Sequence, residues 1–209
     1  MSRGRAFASF GGGVVVFAVC AVVASGGEVP EAEQAVFRAI NGLPSWLSPP
    51  AQALQMLGVL GIGPLVAVVA LVLRRPRLAV AALVVTALKL LAERFVWEVL
   101  EVHRERPGVT EPVVIVRGNT ATEGLSFVSG HMILVTGLAW VVTPYLRGAW
   151  RAAPWIVVGL VGLARLYLGA HNPLDVVGGF ALGTVIGAAT YLVLRLDRVD
   201  AGSPRVSSV

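Results

Sequence analysis

Three short clusters of ionisable residues lie beside long apolar runs of the chain. They read HRERPG over residues 103–108, SFVSGH over 126–131 and RLYLGAHNPLD over 165–175. Ionisable groups are expensive inside a bilayer, and where they occur they mark functional sites by default. Because the clusters are far apart in sequence, only a fold that packs the ends of several helices together would unite them in one pocket.

Four residues in these clusters suit the binding of a phosphate group. The guanidinium groups of Arg106 and Arg165 present planar forks of donors that match phosphate oxygens. Ser129 and Gly130 stand where a helix is predicted to begin, so free backbone N–H groups and the helix dipole favour an anion there. Gly130 also has no side chain that would block a close approach.

Two histidines supply what phosphoryl transfer needs besides charge neutralisation. Between them, His131 and His171 can provide a nucleophile and a proton donor. Asp175 follows His171 by four residues, and a carboxylate that accepts from one ring nitrogen leaves the other free to attack. Each residue also has a simpler explanation, since arginines often extend to the interface and Asp after Asn-Pro favours a helix start. The functional interpretation depends on their joint occurrence at one membrane face.

The composition is that of an integral membrane protein. Of 209 residues, 56% are hydrophobic and 14% are charged, and the mean hydropathy is +0.78. A net charge of +5 would suggest nucleic acid as the partner of a soluble protein. Here the arginines fall between apolar runs, so we expect lipid head groups and no nucleic acid. The single cysteine, Cys20, allows no internal disulfide.

The apolar runs predict an all-α fold, a polytopic bundle of six transmembrane helices. A bilayer core takes ~20 apolar residues per helix. The first run could instead be a cleaved signal peptide, because a basic start precedes an apolar centre that ends in small residues. Six spans are favoured because an even number places both termini on one side. The predicted spans are Phe7–Ser25, Leu54–Leu73, Leu78–Leu100, Leu125–Leu146, Ala153–Leu168 and Leu174–Leu194.

The whole chain, 1–209, is predicted to form one membrane-embedded domain. Residues 1–50 would hold the first span and a connector, residues 51–198 the catalytic bundle, and residues 199–209 a flexible tail. In the connector, apolar residues recur at helical spacing beside charged ones, which is typical of an amphipathic helix lying on the membrane surface. A merely solvated connector fits the same pattern.

Arginines predict the orientation of the bundle. Those at both ends of the chain and in two short loops would share one side, which the positive-inside rule makes cytoplasmic. Both termini are therefore predicted to be cytoplasmic, in the plasma membrane, with the three clusters at the outer face. Four outer arginines break the rule, and a bound anion would explain them: Arg104, Arg106, Arg117 and Arg165.

The clusters resemble the signature of the type 2 phosphatidic acid phosphatase superfamily, whose usual form is K-x6-R-P, then P-S-G-H, then S-R-x5-H-x3-D. The order agrees, and the third element has the full spacing. The resemblance covers predicted spans three to six and implies a membrane lipid phosphatase with no metal or other cofactor. The elements here read Arg106-Pro107, Ser129-Gly130-His131, and Arg165 through His171 to Asp175.

The resemblance also implies a role for each matching residue. His171 would be the nucleophile that forms a phosphohistidine, and Asp175 would orient it. His131 would protonate the leaving alcohol and later activate water. The phosphoryl oxygens would be held by Arg106, Arg165, Ser129 and Gly130.

Three positions depart from the family pattern. Val99 stands where the signature has lysine, Val128 replaces the proline and Ala164 replaces the serine. Loss of the lysine removes a charge from the phosphate site. Three residues are accessory candidates that could compensate: Arg104, His103 and Arg117.

Lys89 and Glu93 are unusual inside the third predicted span. Their i,i+4 spacing predicts an ion pair along the helix that faces the bundle interior. Lys89 precedes Val99 by more than two turns, so we expect it to lie too deep to replace the signature lysine.

The sequence does not choose the lipid. Polyprenyl phosphate or diphosphate derivatives are favoured because an outer site suits carrier-lipid recycling, and phosphatidic acid and phosphatidylglycerophosphate remain alternatives. A degenerate, non-hydrolytic lipid-phosphate binder and a transferase with an acceptor other than water also stay open. A small transporter is disfavoured, since no internal repeat is evident. The oligomeric state is not predicted.

Overall fold

A computed structural model of the protein describes residues 2–111 and 113–197. These residues form nine α-helices joined by loops, short 3₁₀ turns and one π-helical segment, Phe95–Val99, that continues α5, and within them the only β pairing is one isolated bridge. The tail predicted at 199–209 lies outside the described residues. The helices are α1 Arg3–Ser25, α2 Glu31–Asn41, α3 Ser48–Gln55, α4 Ile62–Val72, α5 Pro76–Arg94, α6 Pro107–Thr110, α7 Gly130–Val142, α8 Ala153–Tyr167 and α9 Pro173–Val193.

Three helical segments are long and apolar enough to cross a membrane: α1, the 20 residues that end with α8, and α9. A bent pair, formed by the segment containing α3 and by α4, adds a fourth candidate span. The described residues are therefore all-helical, and their apolar helices are those of a multi-pass membrane protein. The count of six spans and the orientation of the termini stay predictions, since α5 and α7 do not meet the same test of length and apolarity.

Helices α7 and α9 pack closely because glycines on α9 face α7. A Cβ added at Gly179 would lie 2.6 Å from the carbonyl oxygen of Ser129, and one added at Gly183 would lie 2.7 Å from that of Ile133. Small residues at a membrane helix interface let the two backbones approach. This contact holds the start of α7 beside the start of α9, where two of the three clusters lie.

The second predicted span, Leu54–Leu73, is not one helix. The chain bends by 68° between α3 and α4, within a stretch that contains Gly58, Gly61 and Gly63. Glycine weakens a helix interior because it loses the most backbone entropy on ordering. The bend also needs Gly58 for packing, since a Cβ there would lie 2.7 Å from Cδ2 of His131.

The fourth predicted span begins later than expected. Helix α7 starts at Gly130, and the residues that precede it are not helical. Their backbone is paired elsewhere: the N–H of Ser126 donates to the carbonyl of Arg104 at 2.7 Å, and that of Ser129 donates to the carbonyl of Asp175 at 3.2 Å. A backbone that pairs outside the helix satisfies its polar groups without helical bonds.

The amphipathic helix predicted in the connector is present as α2. Phe37 and Asn41 on this helix are buried against the protein. The Asn41 side chain accepts a hydrogen bond from the N–H of Ile115 at 2.8 Å and donates to the carbonyl of Tyr167 at 3.0 Å. Because these bonds join α2 to the long loop and to α8, α2 caps one end of the bundle.

Candidate active site

A cavity of about 280 Å³ lies where α5 and α8 end and α7 begins. Residues from all three ionisable clusters line it, together with the bend that follows α3. The helix packing described above therefore brings distant segments of the sequence to one place. Its charged and imidazole-bearing lining residues are Lys89, Glu93, Arg106, His131, Arg165 and His171.

Arg106 and Arg165 are each held by one hydrogen bond to the protein and retain other N–H donors for a ligand. Nη1 of Arg106 donates to the carbonyl of Ala170 at 2.8 Å, and Nη1 of Arg165 donates to Oε1 of Gln55 at 2.6 Å. Within the described residues, Nε of each arginine is buried without a hydrogen-bond partner. Burial lowers the pKa of Arg106, whereas the charge of Asp175 raises it. An anion bound beside the two guanidinium groups would favour their charged forms.

His171 lies in the turn between α8 and α9 and is buried. Burial is the largest cause that lowers its pKa, to about 4, and the hydrogen-bonding influence of Asp175 opposes this. The ring is therefore neutral near pH 7 and offers a lone pair, which a nucleophile requires.

A direct hydrogen bond between His171 and Asp175 was expected, and the distance is too long for one. Nδ1 of His171 lies 3.8 Å from Oδ2 of Asp175. The hydroxyl of Ser126 lies 3.4 Å from Nδ1 and donates to the same carboxylate oxygen. Ser126 thus links the imidazole to Asp175. It belongs to the SFVSGH cluster, but its type and position alone did not assign it this role.

Asp175 also stabilises the start of α9. Its Oδ2 accepts from the N–H of Asn172 at 2.8 Å, which completes a capping box at the helix N-terminus. The simpler explanation of Asp175 as a helix-start residue is therefore correct, and it coexists with the contacts to Ser126 and Arg104.

Arg104, an accessory candidate for phosphate binding, lies outside the cavity wall. Its side chain is fully buried and does not line the cavity. Nη1 donates to Oδ1 of Asp175 at 3.3 Å, and both terminal nitrogens donate to Glu33 of α2. Oε1 of Glu33 also accepts from the N–H of Leu174 at 2.7 Å. Arg104 therefore holds Asp175 in place, and no sequence signal indicated Glu33.

We expect Arg104→Ala to destabilise the protein by about 3–5 kcal/mol, because the fully buried Asp175 and the largely buried Glu33 would lose their charged partner. The measurement is the thermal unfolding midpoint of the detergent-solubilised protein. His103→Ala is the matched control, since His103 is exposed on the preceding residue. Equal unfolding midpoints for the two variants would contradict this assignment.

The other two accessory candidates are not brought to the cavity. His103 is exposed and does not line it. Arg117 donates to the carbonyl of Tyr167 at 2.6 Å, and its guanidinium carbon lies 4.0 Å from the centre of the Tyr167 ring. These contacts attach the long loop to α8. They explain the arginine at position 117 without a bound anion.

Of the two residues predicted at the start of α7, only Gly130 lines the cavity. Ser129 is buried, and its N–H is used by Asp175. Its hydroxyl has no hydrogen-bond partner among the described residues. The free N–H predicted at Ser129 is therefore not available to a phosphate, because the contact between α7 and α9 uses it.

The predicted ion pair between Lys89 and Glu93 is confirmed, with 2.7 Å between Nζ and Oε2. The expectation that Lys89 lies too deep for the site is wrong, since both residues line the cavity. Counting turns back from Val99 misjudged the depth. Helix α5 continues as a π-helical segment, Phe95–Val99, and the bend near Gly58 and the non-helical residues before α7 form cavity walls at the level of Lys89.

The chain is a helical membrane bundle with an arginine element, a serine-glycine-histidine element and an arginine-histidine-aspartate element, in this order. This combination is typical of one class of membrane phosphatases. The chain belongs to the PAP2 superfamily, whose family model matches residues 77–198. The resemblance proposed from the three clusters is thereby confirmed. Membership and the named relatives support a phosphatase activity.

Two kinds of curated relative match part of the chain. A decaprenylphosphoryl-5-phosphoribose phosphatase of Mycobacterium tuberculosis is 34% identical over 104 residues, which are 50% of this chain and 52% of that protein. A lipid A 4'-phosphatase of Porphyromonas gingivalis is 34% identical over 73 residues, 34% of this chain and 31% of that protein. The match thus spans about half the length of the mycobacterial relative and a third of the other.

Two solved structures share the fold. Aquifex aeolicus LpxE matches with a TM-score of 0.63 and 22% identity, covering 75% of this chain and 93% of that one. A transmembrane PAP2-type phosphatidylglycerolphosphate phosphatase from Bacillus subtilis matches with a TM-score of 0.66 and 22% identity, covering 93% and 98%. At this identity the likeness concerns the fold alone.

Proposed function

We propose that the protein hydrolyses a phosphomonoester on a polyprenyl lipid at the outer face of the plasma membrane, through a phosphohistidine intermediate. The observation that carries this proposal is the shared cavity, which is lined by two imidazoles and two guanidinium groups. The arginines at the predicted cytoplasmic ends of the bundle support the outer location.

In the first step, a neutral His171 attacks the phosphorus atom through Nε2. A P–N bond forms as the bond from phosphorus to the lipid alcohol breaks, and His131 donates a proton to the departing oxygen. Ser126 and Asp175 hold Nδ1 of His171 so that Nε2 carries the lone pair. Arg106 and Arg165 stabilise the charge on the phosphoryl oxygens.

In the second step, His131, now neutral, takes a proton from water. The resulting hydroxide attacks phosphorus, the P–N bond breaks, and inorganic phosphate leaves with His171 restored. The same histidine acts as acid and then as base, as microscopic reversibility requires of a double displacement. The chemistry needs no metal or other cofactor.

The charge of the cavity supports a phosphomonoester. Lys89, Arg106 and Arg165 contribute three positive charges and Glu93 one negative charge, so these four side chains carry a formal net charge of +2. A phosphomonoester dianion matches this charge, whereas a phosphodiester carries only one negative charge and also lacks the open terminal oxygens.

Two observations support a lipid, and a polyprenyl lipid in particular. Apolar side chains complete the cavity wall, among them Leu60, Leu125 and Val128. The mycobacterial relative is named as a phosphatase of a decaprenylphosphoryl compound. Hydrolysis of a terminal phosphate on a polyprenyl-linked molecule is consistent with both.

The test is a panel of lipid phosphates assayed with purified protein in the presence of a chelator. We expect phosphate release from monoesters, fastest from a polyprenyl-linked one, and none from phosphodiester lipids. Polyprenyl diphosphate, phosphatidic acid and phosphatidylglycerophosphate complete the panel, and faster release from any of these would overturn the choice of substrate. Activity that requires an added metal would refute the mechanism.

A further inference from the structure

The Lys89–Glu93 ion pair faces the cavity instead of a packed core. Each side chain is 13% exposed, and both line the same cavity as His131 and the two arginines. An ion pair of this kind adds little stability on a helix surface, and a buried one offsets its desolvation cost only partly. A contribution to the stability of the fold is therefore a weak explanation for the Lys89–Glu93 ion pair.

The pair lies against the first residue of α7. A Cβ added at Gly130 would overlap Oε1 of Glu93 and would lie 3.0 Å from Cε of Lys89. The Glu93 carboxylate thus occupies the helix N-terminus that the sequence predicts to bind an anion. Gly130 is what allows this approach, because any side chain there would displace Glu93.

No other lysine is present in the sequence, and the signature position is held by Val99. Val99 is 64% exposed and does not line the cavity. Arg104 and Arg117 are used in other contacts. Among the described residues, Lys89 is therefore the cation that accompanies Arg106 and Arg165 at the cavity wall.

We propose that Lys89 binds the phosphoryl group as the third cation of the site, and that Glu93 competes with phosphate for Lys89 and for the start of α7. The proposal rests on the phosphatase function above. An ammonium on a four-carbon stem can turn from one anion to another without moving the helix. A carboxylate at the same place repels an incoming dianion, so Glu93 sets the affinity for phosphate.

The test compares the affinity for inorganic phosphate and the KM for a lipid phosphomonoester in two variants. We expect Lys89→Met to weaken phosphate binding roughly tenfold to a hundredfold, the range for loss of a charged hydrogen bond. We expect Glu93→Gln to tighten it, because the competing charge is removed while the shape is kept. Arg94→Gln is the matched control, since it removes an exposed charge one residue beyond Glu93.

The opposite signs distinguish a binding site from a structural ion pair. A structural pair would predict that both substitutions affect phosphate affinity equally or not at all, and either result would overturn the proposal. Lys89→Arg, which keeps the charge, should restore most of the affinity if Lys89→Met is folded, as judged by circular dichroism. If phosphate binding depends on Lys89 while no lipid phosphate is hydrolysed, the proposed function fails and the binding proposal stands.

Discussion

Replacing His171 with alanine should reduce phosphate release from a lipid phosphomonoester by roughly a thousandfold or more, because the proposed nucleophile that forms the P–N bond is removed. The wild-type protein, mixed with radiolabelled substrate and quenched within one turnover, should carry label that is stable in alkali and lost in acid. The alanine variant should carry none. A single-turnover experiment measures both the rate of phosphate release and the amount of labelled protein.

His103→Ala is the control for the loss of a histidine, because it lies on the exposed surface of the long loop. It should retain wild-type turnover and labelling. Label that persists in His171→Ala, or that maps to a residue other than His171, would rule out the assignment of the nucleophile. Retained binding of inorganic phosphate by the variant would show that the cavity is intact.

Replacing His131 with alanine should slow hydrolysis of an alkyl phosphate by about a hundredfold to ten-thousandfold, the usual contribution of a general acid. The effect should depend on the leaving group. A nitrophenyl phosphate, whose phenolate leaves without protonation, should react with the variant protein far faster than an alkyl phosphate does. The measurement is the ratio of the two rates in wild type and variant.

The second step should also slow in His131→Ala, because water loses its base. With the nitrophenyl substrate, the phosphohistidine should therefore accumulate and produce a burst of phenolate. Equal losses for both substrates, without a burst, would contradict the acid-base role and leave His131 as a structural residue. His131→Gln keeps the approximate size against Gly58 and controls for collapse of the bend.

The position of His171 depends on Asp175, which joins four segments of the chain. It contacts Ser126 before α7, Arg104 in the long loop, and the start of its own helix, and through Arg104 it is tied to Glu33 on α2. The position of His171 is therefore coupled to the packing of α2, a helix outside the residues matched by the family model.

The membrane class, the helical fold and the order of the three clusters could be predicted from the sequence. These properties depend on local features, namely the apolar content of each run and the residue types within short motifs. The residues from Arg165 to Asp175 run from the last turn of α8 through a short turn to the first turn of α9, so their spacing can be interpreted without the rest of the fold.

The neighbours of the motif residues could not be predicted in this way. Ser126, Glu33 and Gln55 contact them only because helices distant in sequence end at one place, and short polar side chains in loops carry no periodic signal. The break in the second span lies in a glycine-rich stretch, and there Gly58 approaches His131, a residue distant in sequence.

Lys89 shows the same division most clearly. Its i,i+4 partner was evident because the geometry of one helix determines it. Its depth relative to the site was not, because that depends on how far other segments reach inward beside α5. The sequence by itself determined the class of membrane protein and the residues of its signature. Only the tertiary structure decided which charges share the cavity, since long-range packing sets distances that no local pattern encodes.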